Sequence, residues 1–238
     1  MLKNILDKFL KTQVFPLNYT CNACDKEIFN GGYFCDDCKK EIFKITKNKC
    51  NHCGRKTAYL VEYCQSCALK NLEFNFARSV YDYNGIIPKL IQNLKYEGKL
   101  YLAEIFASQL KEIYFSEFFA CDVVVGVPMT KFAKRKRGYN QSYILAKKLA
   151  KLINVEYSEK IIQKVKETER QATLDVNERL KNLKGCFKIN KKELNNRDVL
   201  IVDDVLTTGS TCNYLSKLLH INGAKNVYVL TIASVQKN

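Results

Sequence analysis

Two adjacent carboxylates and a hydroxyl-rich turn stand together late in the chain: Asp203, Asp204, Val205, Leu206, Thr207, Thr208, Gly209, Ser210 and Thr211. Their types suit a sugar phosphate. The threonine and serine hydroxyls are donors for phosphate oxygens, and Gly209 lets the backbone approach closely. The carboxylates repel phosphate, but they accept hydrogen bonds from ribose hydroxyls or from water on a magnesium ion. Such a site needs positioning from both sides. Before it, Val199 to Val202 is a short apolar, β-branched run, expected as a strand buried on both faces. After it, Leu215, Leu218 and Leu219 recur at helical spacing, with Ser210 or Thr211 as the N-cap. A helix N-terminus there offers unpaired N–H groups and a partial positive charge to phosphate. Side chains alternate along a strand, so both acids serve one ligand only if the strand has turned before them. The Walker pattern GxxxxGK[ST] is absent. The plain alternative is an ordinary strand–turn–helix junction with capping residues.

A second chemistry lies near the start. Of 11 cysteines, eight fall into four CxxC pairs: Cys21/Cys24, Cys35/Cys38, Cys50/Cys53 and Cys64/Cys67. The last four repeat the first four at a shift of 29 residues, each half reading C-x2-C-x10-C-x2-C. Four thiolates presented as two pairs make a tetrahedral cage for structural zinc. Two sequential sites or an interleaved cross-brace would both satisfy the counting, and the regular repeat favours the sequential one. Disulfides are disfavoured by the absence of secretory features, and two complete four-cysteine sets fit zinc better than an iron–sulfur cluster. His52, inside the Cys50–Cys53 turn, is expected to be exposed because four sulfurs complete the site. Gly54 relaxes that turn. Cys121, Cys186 and Cys212 read as small apolar residues. Tyr19, Phe29, Tyr33, Phe34, Tyr59 and Tyr63 interleave with the cysteines, either to stack bases or to pack on the metal knuckles.

Between these sites, strands and helices alternate as in an α/β fold with a parallel sheet. Leu72 to Tyr83 has strand character, Ile87 to Leu94 and Leu100 to Tyr114 helical spacing, and Asp122 to Val127 a second buried strand ending at Pro128. The carboxyl ends of Asp122–Val127 and Val199–Val202 are expected side by side, where ligands of such sheets bind. After Pro128 and Met129 comes a basic loop with Lys131, Lys134, Arg135, Lys136 and Arg137. Four consecutive cations repel one another unless solvated or facing anions. Gln141 to Ile153 continues as a helix and Ile161 to Val165 as a strand. Lys166 to Lys181 reads as a polar, mobile loop. His220, before Asn222 and Gly223, fits a helix C-terminus rather than catalysis.

The net charge is +15, from 39 basic against 24 acidic side chains. Met129 to Arg170 holds 12 Lys plus Arg and 4 Glu, a local excess of +8. Such a segment attracts polyanions without base specificity, unless its lysines are only solvated surface. At 47% hydrophobic residues the chain is not disordered. No run reaches the roughly 18 apolar residues that would span a bilayer. Leu2, Ile5, Leu6, Phe9 and Leu10 give the start amphipathic spacing without a signal-peptide core, so a cytoplasmic location is expected.

The stretch Val199 to Thr211 resembles the PRPP-binding signature of type I phosphoribosyltransferases. With the double four-cysteine ribbon, the Leu94-Lys95-Tyr96-Glu97-Gly98 segment, the Arg137-Gly138-Tyr139-Asn140-Gln141 element, and the series Thr168, Gln171, Arg179, Asn182, Phe187, the whole chain is similar to the ComF (ComFC, GntX-like) family. The resemblance implies a type I phosphoribosyltransferase-like parallel sheet flanked by helices, with an N-terminal double zinc ribbon. It divides the chain into an amphipathic helix at residues 1–18, a ribbon pair at 19–71, and a phosphoribosyltransferase-like domain at 72–238. It implies that Asp203 and Asp204 hold ribose and magnesium–PRPP, and that Thr207 to Thr211 cradle the 5-phosphate. Pro128, Met129, Lys131 and Arg137 would face pyrophosphate, and Thr168, Gln171 and Arg179 would belong to a hood that closes over the site. The family's role implies natural transformation, in which DNA enters the cytoplasm as a single strand, with Lys134, Arg135, Lys136 and Arg137 as contacts. Two other roles fit: a magnesium-dependent phosphoribosyltransferase of unknown acceptor, or a zinc-scaffolded protein recruiting a ComFA-like helicase or other uptake factor.

Overall fold

The computed structural model describes residues 20–29, 32–117, 120–166 and 183–236. The helix expected at 1–18 and the hood residues Thr168, Gln171 and Arg179 lie outside the described residues.

The apolar run at Val199 does form a central strand. Five parallel strands make the sheet: β1 (Phe76–Asp82), β2 (Val123–Gly126), β3 (Glu156–Tyr157), β6 (Val199–Leu206) and β7 (Val227–Ser234), in the order β1-β7-β6-β2-β3. Val199, Leu200, Ile201 and Val202 are fully buried, as a strand covered on both faces requires. Strand β2 pairs with the first half of β6, Val123 opposite Val199 and Gly126 opposite Val202.

Strand β6 departs from expectation in length. It does not stop before the acids: Asp203 pairs with Thr231 and Val205 with Ala233 of β7. Alternation starts the two carboxylates from opposite faces of a continuing strand. Yet both reach residues on one side of the sheet, Asp203 the Ser142 hydroxyl and Asp204 the Lys95 ammonium, so the expected turn before the acids is not needed to bring them together. The long β7 partner supplies ladder bonds that outweigh the poor strand propensity of aspartate.

Helices α3 (Ile87–Tyr96), α4 (Leu102–Glu117) and α6 (Gln141–Ile153) cover one face. Their Leu90, Leu94, Leu110, Leu145 and Leu149 pack with Leu200, Val202 and Leu230. Helix α7 (Ser210–Ile221) covers the other, with Leu215 and Leu219 against Val199, Ile201 and Val229. Each such side chain contributes about 1.5–3 kcal/mol by leaving water. The expected Ile161–Val165 strand is β4 (Ile162–Lys164), but it forms a separate antiparallel pair with β5 (Phe187–Ile189).

The basic segment is a helix rather than a loop: α5 (Lys131–Arg137). The Thr130 hydroxyl accepts from Ala133 N at its start, and four of its five cations crowd the C-terminal turn. There the helix dipole favours positive charge, which offsets their mutual repulsion.

The cysteine-rich segment folds as two copies of one unit. Cys35 and Cys64 precede the short helices α1 (Asp36–Lys40) and α2 (Gln65–Ala68). Cys21 N bonds Lys26 O, and Cys50 N bonds Arg55 O, at equivalent positions. Asp25 and Gly54 share a left-handed φ of 60° and 68°. Asp25 shows that the turn itself accepts a side chain, but a Cβ at Gly54 would lie 2.3 Å from the Ala77 carbonyl of β1. Glycine is needed there because the second ribbon presses onto the sheet. Both copies dock along β1: Ile45 N bonds Val80 O, Asp82 N bonds Phe43 O, and Ala77 N bonds His52 O. The strand edge is thereby covered.

Candidate metal centres and anion site

The two cysteine sets are sequential: Cys21, Cys24, Cys35 and Cys38 form one cluster, and Cys50, Cys53, Cys64 and Cys67 the other. All eight are free thiols. The Sγ atoms of Cys24 and Cys35 are 3.7 Å apart, those of Cys50 and Cys67 3.8 Å, and those of Cys53 and Cys64 3.7 Å. A tetrahedron with Zn–S bonds of about 2.3 Å has edges of about 3.8 Å, so both cages fit zinc. The Cys64 amide also donates to Cys50 Sγ at 3.2 Å, the outer-shell support that orients a metal ligand.

His52 is not exposed. Its ring is half-buried between Phe74 and Tyr63, with centroids 5.3 and 5.4 Å away. Burial depresses its basicity. It packs the second knuckle onto the domain below, which the count of sulfurs could not reveal.

At the carboxyl end of β6, Gly209 caps α7 with φ 76°, and no side chain caps the helix. Ser210 and Thr211 are not the cap expected. The Thr208 and Ser210 hydroxyls are buried and bond each other at 2.8 Å, and Thr208 Oγ1 also accepts from Ser210 N. They brace the turn, while Thr207 is exposed and Thr211 half-exposed. Val205 is half-buried and Leu206 fully buried.

The acids are engaged by residues far away in sequence. Asp203 Oδ1 accepts from Ser142 Oγ at 2.7 Å. Burial holds its carboxyl above the usual range, opposed by that hydrogen bond and by the Lys95 charge. Asp204, buried, forms an ion pair with Lys95. Burial lowers the Lys95 basicity, nearby Asp203 raises it and nearby Arg137 lowers it. Lys95 thus pairs with Asp204 and feels the charges of Asp203 and Arg137. Residue type and spacing single out neither Lys95 nor Ser142 as a site residue. The Leu94–Gly98 segment, which contains Lys95, is the one pointer to it in the sequence.

The Arg137–Gln141 element positions these charged groups. Arg137 Nη1 donates to Gln141 Oε1 at 2.6 Å, and its guanidinium lies 4.8 Å from the Tyr96 ring centroid. Tyr139 donates its hydroxyl hydrogen to Leu94 O. Asn140 caps α6 through Ser142 N and donates to Val127 O at 3.0 Å. These bonds fix the N-terminal turn of α6, which carries Ser142 to Asp203. Pro128 is buried. Met129, Lys131 and Lys134 line a neighbouring groove of about 670 Å³ with Phe132, Tyr143 and Lys164. Lys134, Arg135 and Lys136 are exposed and enter no ion pair among the described residues.

Comparison with known proteins follows the same division. Residues 10–68 match a double zinc ribbon domain, and residues 101–238 a phosphoribosyl transferase domain. The chain is 31% identical to Competence protein F of Haemophilus influenzae, over 77% of this chain and 83% of that one. It is 29% identical to DNA utilization protein YhgH of Escherichia coli K12, over 88% and 94%. It is 26% identical to Competence protein ComFC of Bacillus subtilis, over 74% and 73%.

Proposed function

We propose, from the premise that the chain belongs to the ComF family, that it handles single-stranded DNA entering the cytoplasm during natural transformation. Its Val199–Thr211 site would hold PRPP or a nucleotide phosphate, and the division at residues 1–18, 19–71 and 72–238 is part of the same proposal. The observation that carries it is the geometry of α5. Lys134 to Lys136, exposed and in no ion pair among the described residues, run into Arg137, whose charge acts on Lys95, the ion-pair partner of Asp204. A strand tracked by those cations would deliver a phosphate toward the N-terminus of α7.

The test is binding of oligo-dT between 50 and 200 mM salt. Each single-strand phosphate neutralised contributes a slope of about −0.7 in log K against log salt. Replacing Lys134, Arg135, Lys136 and Arg137 by glutamine is expected to weaken binding and to flatten the slope by about 2 to 3. An unchanged slope would remove α5 from DNA contact.

The paired acids favour a second reading, a phosphoribosyltransferase acting on an unknown acceptor. Asp203 and Asp204 would accept ribose hydroxyls and water of a PRPP-bound magnesium ion, which supplies charge neutralisation at pyrophosphate. Lys95 and Arg137 would place further positive charge beside the leaving group. Such chemistry rests on positioning and electrostatics and needs no protein nucleophile.

A further inference from the structure

We infer that the second zinc ribbon is a working part of the anion site, acting through Arg55 as a positioning residue for the phosphate loop. The inference rests on Thr207–Thr211 being that loop.

Arg55 follows the Cys50–Cys53 turn, yet its Nη2 donates to the Thr207 carbonyl, 152 residues away. The side chain is only 5% exposed. Its Nε and Nη1 are buried and have no hydrogen-bond partner, and it enters no ion pair among the described residues. A buried cation in this condition is costly unless its charge is used. The duplicated architecture supplies an internal control. Lys26 stands at the equivalent position of the first ribbon, where it is two-thirds exposed and pairs with Asp37. The ribbon fold therefore does not demand burial at this position. Burial arises from docking on the loop.

Two further contacts support the same contact face. Lys70, just beyond α2, donates to the Thr208 carbonyl at 3.4 Å. Cys53, Cys67, Leu206, Thr208 and Gly209 line one small gap of about 10 Å³ around Arg55, too small for a ligand. The ribbon thus supports the underside of the turn, and two cations take up the carbonyls of Thr207 and Thr208. Those carbonyls are held away from an anion on the other side, and the positive charge adds to that of the α7 N-terminus. Zinc held by Cys50, Cys53, Cys64 and Cys67 would fix the Cys50–Arg55 turn and so couple that centre to anion affinity at the loop.

The test is calorimetric titration of the zinc-loaded chain with ribose 5-phosphate, alongside thermal unfolding. Losing a charge-assisted hydrogen bond corresponds to roughly tenfold or more in affinity. Arg55→Ala is expected to weaken binding about tenfold, Arg55→Lys to restore part of it, and Lys26→Ala to change nothing. Amide exchange at Thr208 to Thr211 supplies a local readout that tolerates a partly destabilised variant: it should quicken in Arg55→Ala and not in Lys26→Ala. Wild-type affinity in Arg55→Ala with unchanged loop exchange would overturn the coupling and leave the phosphate site standing. An absence of ribose 5-phosphate binding in the wild type would overturn the phosphate site itself, and the coupling with it.

Discussion

A chain carrying Cys64→Ser and Cys67→Ser is expected to retain one zinc equivalent instead of two and to lose its second ribbon as an ordered unit. The size of the effect follows from what the metal holds. Cys50, Cys53 and Cys67 are buried in the same apolar cluster as Phe74, Val123, Ile201 and Leu206. Structural zinc contributes on the order of 10–16 kcal/mol in small fingers, as much as the whole net stability of a typical domain. Part of that loss is absorbed by local unfolding of the ribbon, but the Ala77–His52 backbone bond on β1 goes with it. The unfolding midpoint should fall steeply, and the uncovered strand edge should promote aggregation. Cys35→Ser with Cys38→Ser should also release one equivalent, while leaving the Thr207–Gly209 turn supported by Arg55. Zinc release to a chromophoric chelator and thermal unfolding measure both. Two retained equivalents and an unchanged midpoint in the Cys64/Cys67 variant would contradict the assignment of that centre.

The second large effect is expected at the acids. Asp203→Asn with Asp204→Asn should abolish magnesium-dependent PRPP binding. Hydrogen bonds to charged groups contribute about 1.5–3 kcal/mol each, so losing two implies roughly a hundredfold to ten-thousandfold. Asp203 adds a pH signature. Burial raises its folded pKa above that of the unfolded chain. The protonated form is thus favoured by folding, and the associated stability is present below the unfolded pKa and lost as pH rises through the folded one. At neutral pH the ionised Asp203 therefore costs stability. Asp203→Asn alone should raise the unfolding midpoint while weakening the ligand, a trade expected where function needs a strained group. PRPP affinity of the wild type should fall on acidification, starting above the ordinary carboxylate range. Calorimetry from pH 5 to 8, beside thermal scans of both variants, checks these signs. A destabilised Asp203→Asn chain with full PRPP affinity would be the opposite result.

Much of this was legible in the sequence, for identifiable reasons. The repeat of 29 residues favoured two sequential sulfur sets over a cross-brace, because two identical ligand sets fold alike, and the clusters are sequential. The Val199–Val202 run and the Asp122–Val127 run announced neighbouring buried strands by their lack of polar alternation. What stayed hidden depends on contacts distant in the chain. The β6 strand runs on through two aspartates because Thr231 and Ala233 continue the ladder, and propensity alone ends it too soon. Four like charges argued for a loop at Lys134–Arg137, whereas the Thr130 cap and the helix dipole make it a helix. Lys95, Ser142 and Arg55 approach the site from three other elements. No spacing rule links Arg55 to Thr207, and only the docking of the ribbon shows it.

The DNA-handling role with its two parts, the acidic phosphate loop and the basic helix, is tested most directly by complementation of a ComF-deficient, transformable strain. Three chains would be compared at matched abundance: the wild type, the Asp203→Asn/Asp204→Asn chain, and the chain with glutamine at Lys134, Arg135, Lys136 and Arg137. The expected result is that the wild type restores transformation and both variants fail to. Full transformation with the glutamine-substituted helix would contradict a DNA-tracking role for α5, and would leave PRPP binding or chemistry at Asp203 and Asp204 as the protein's contribution.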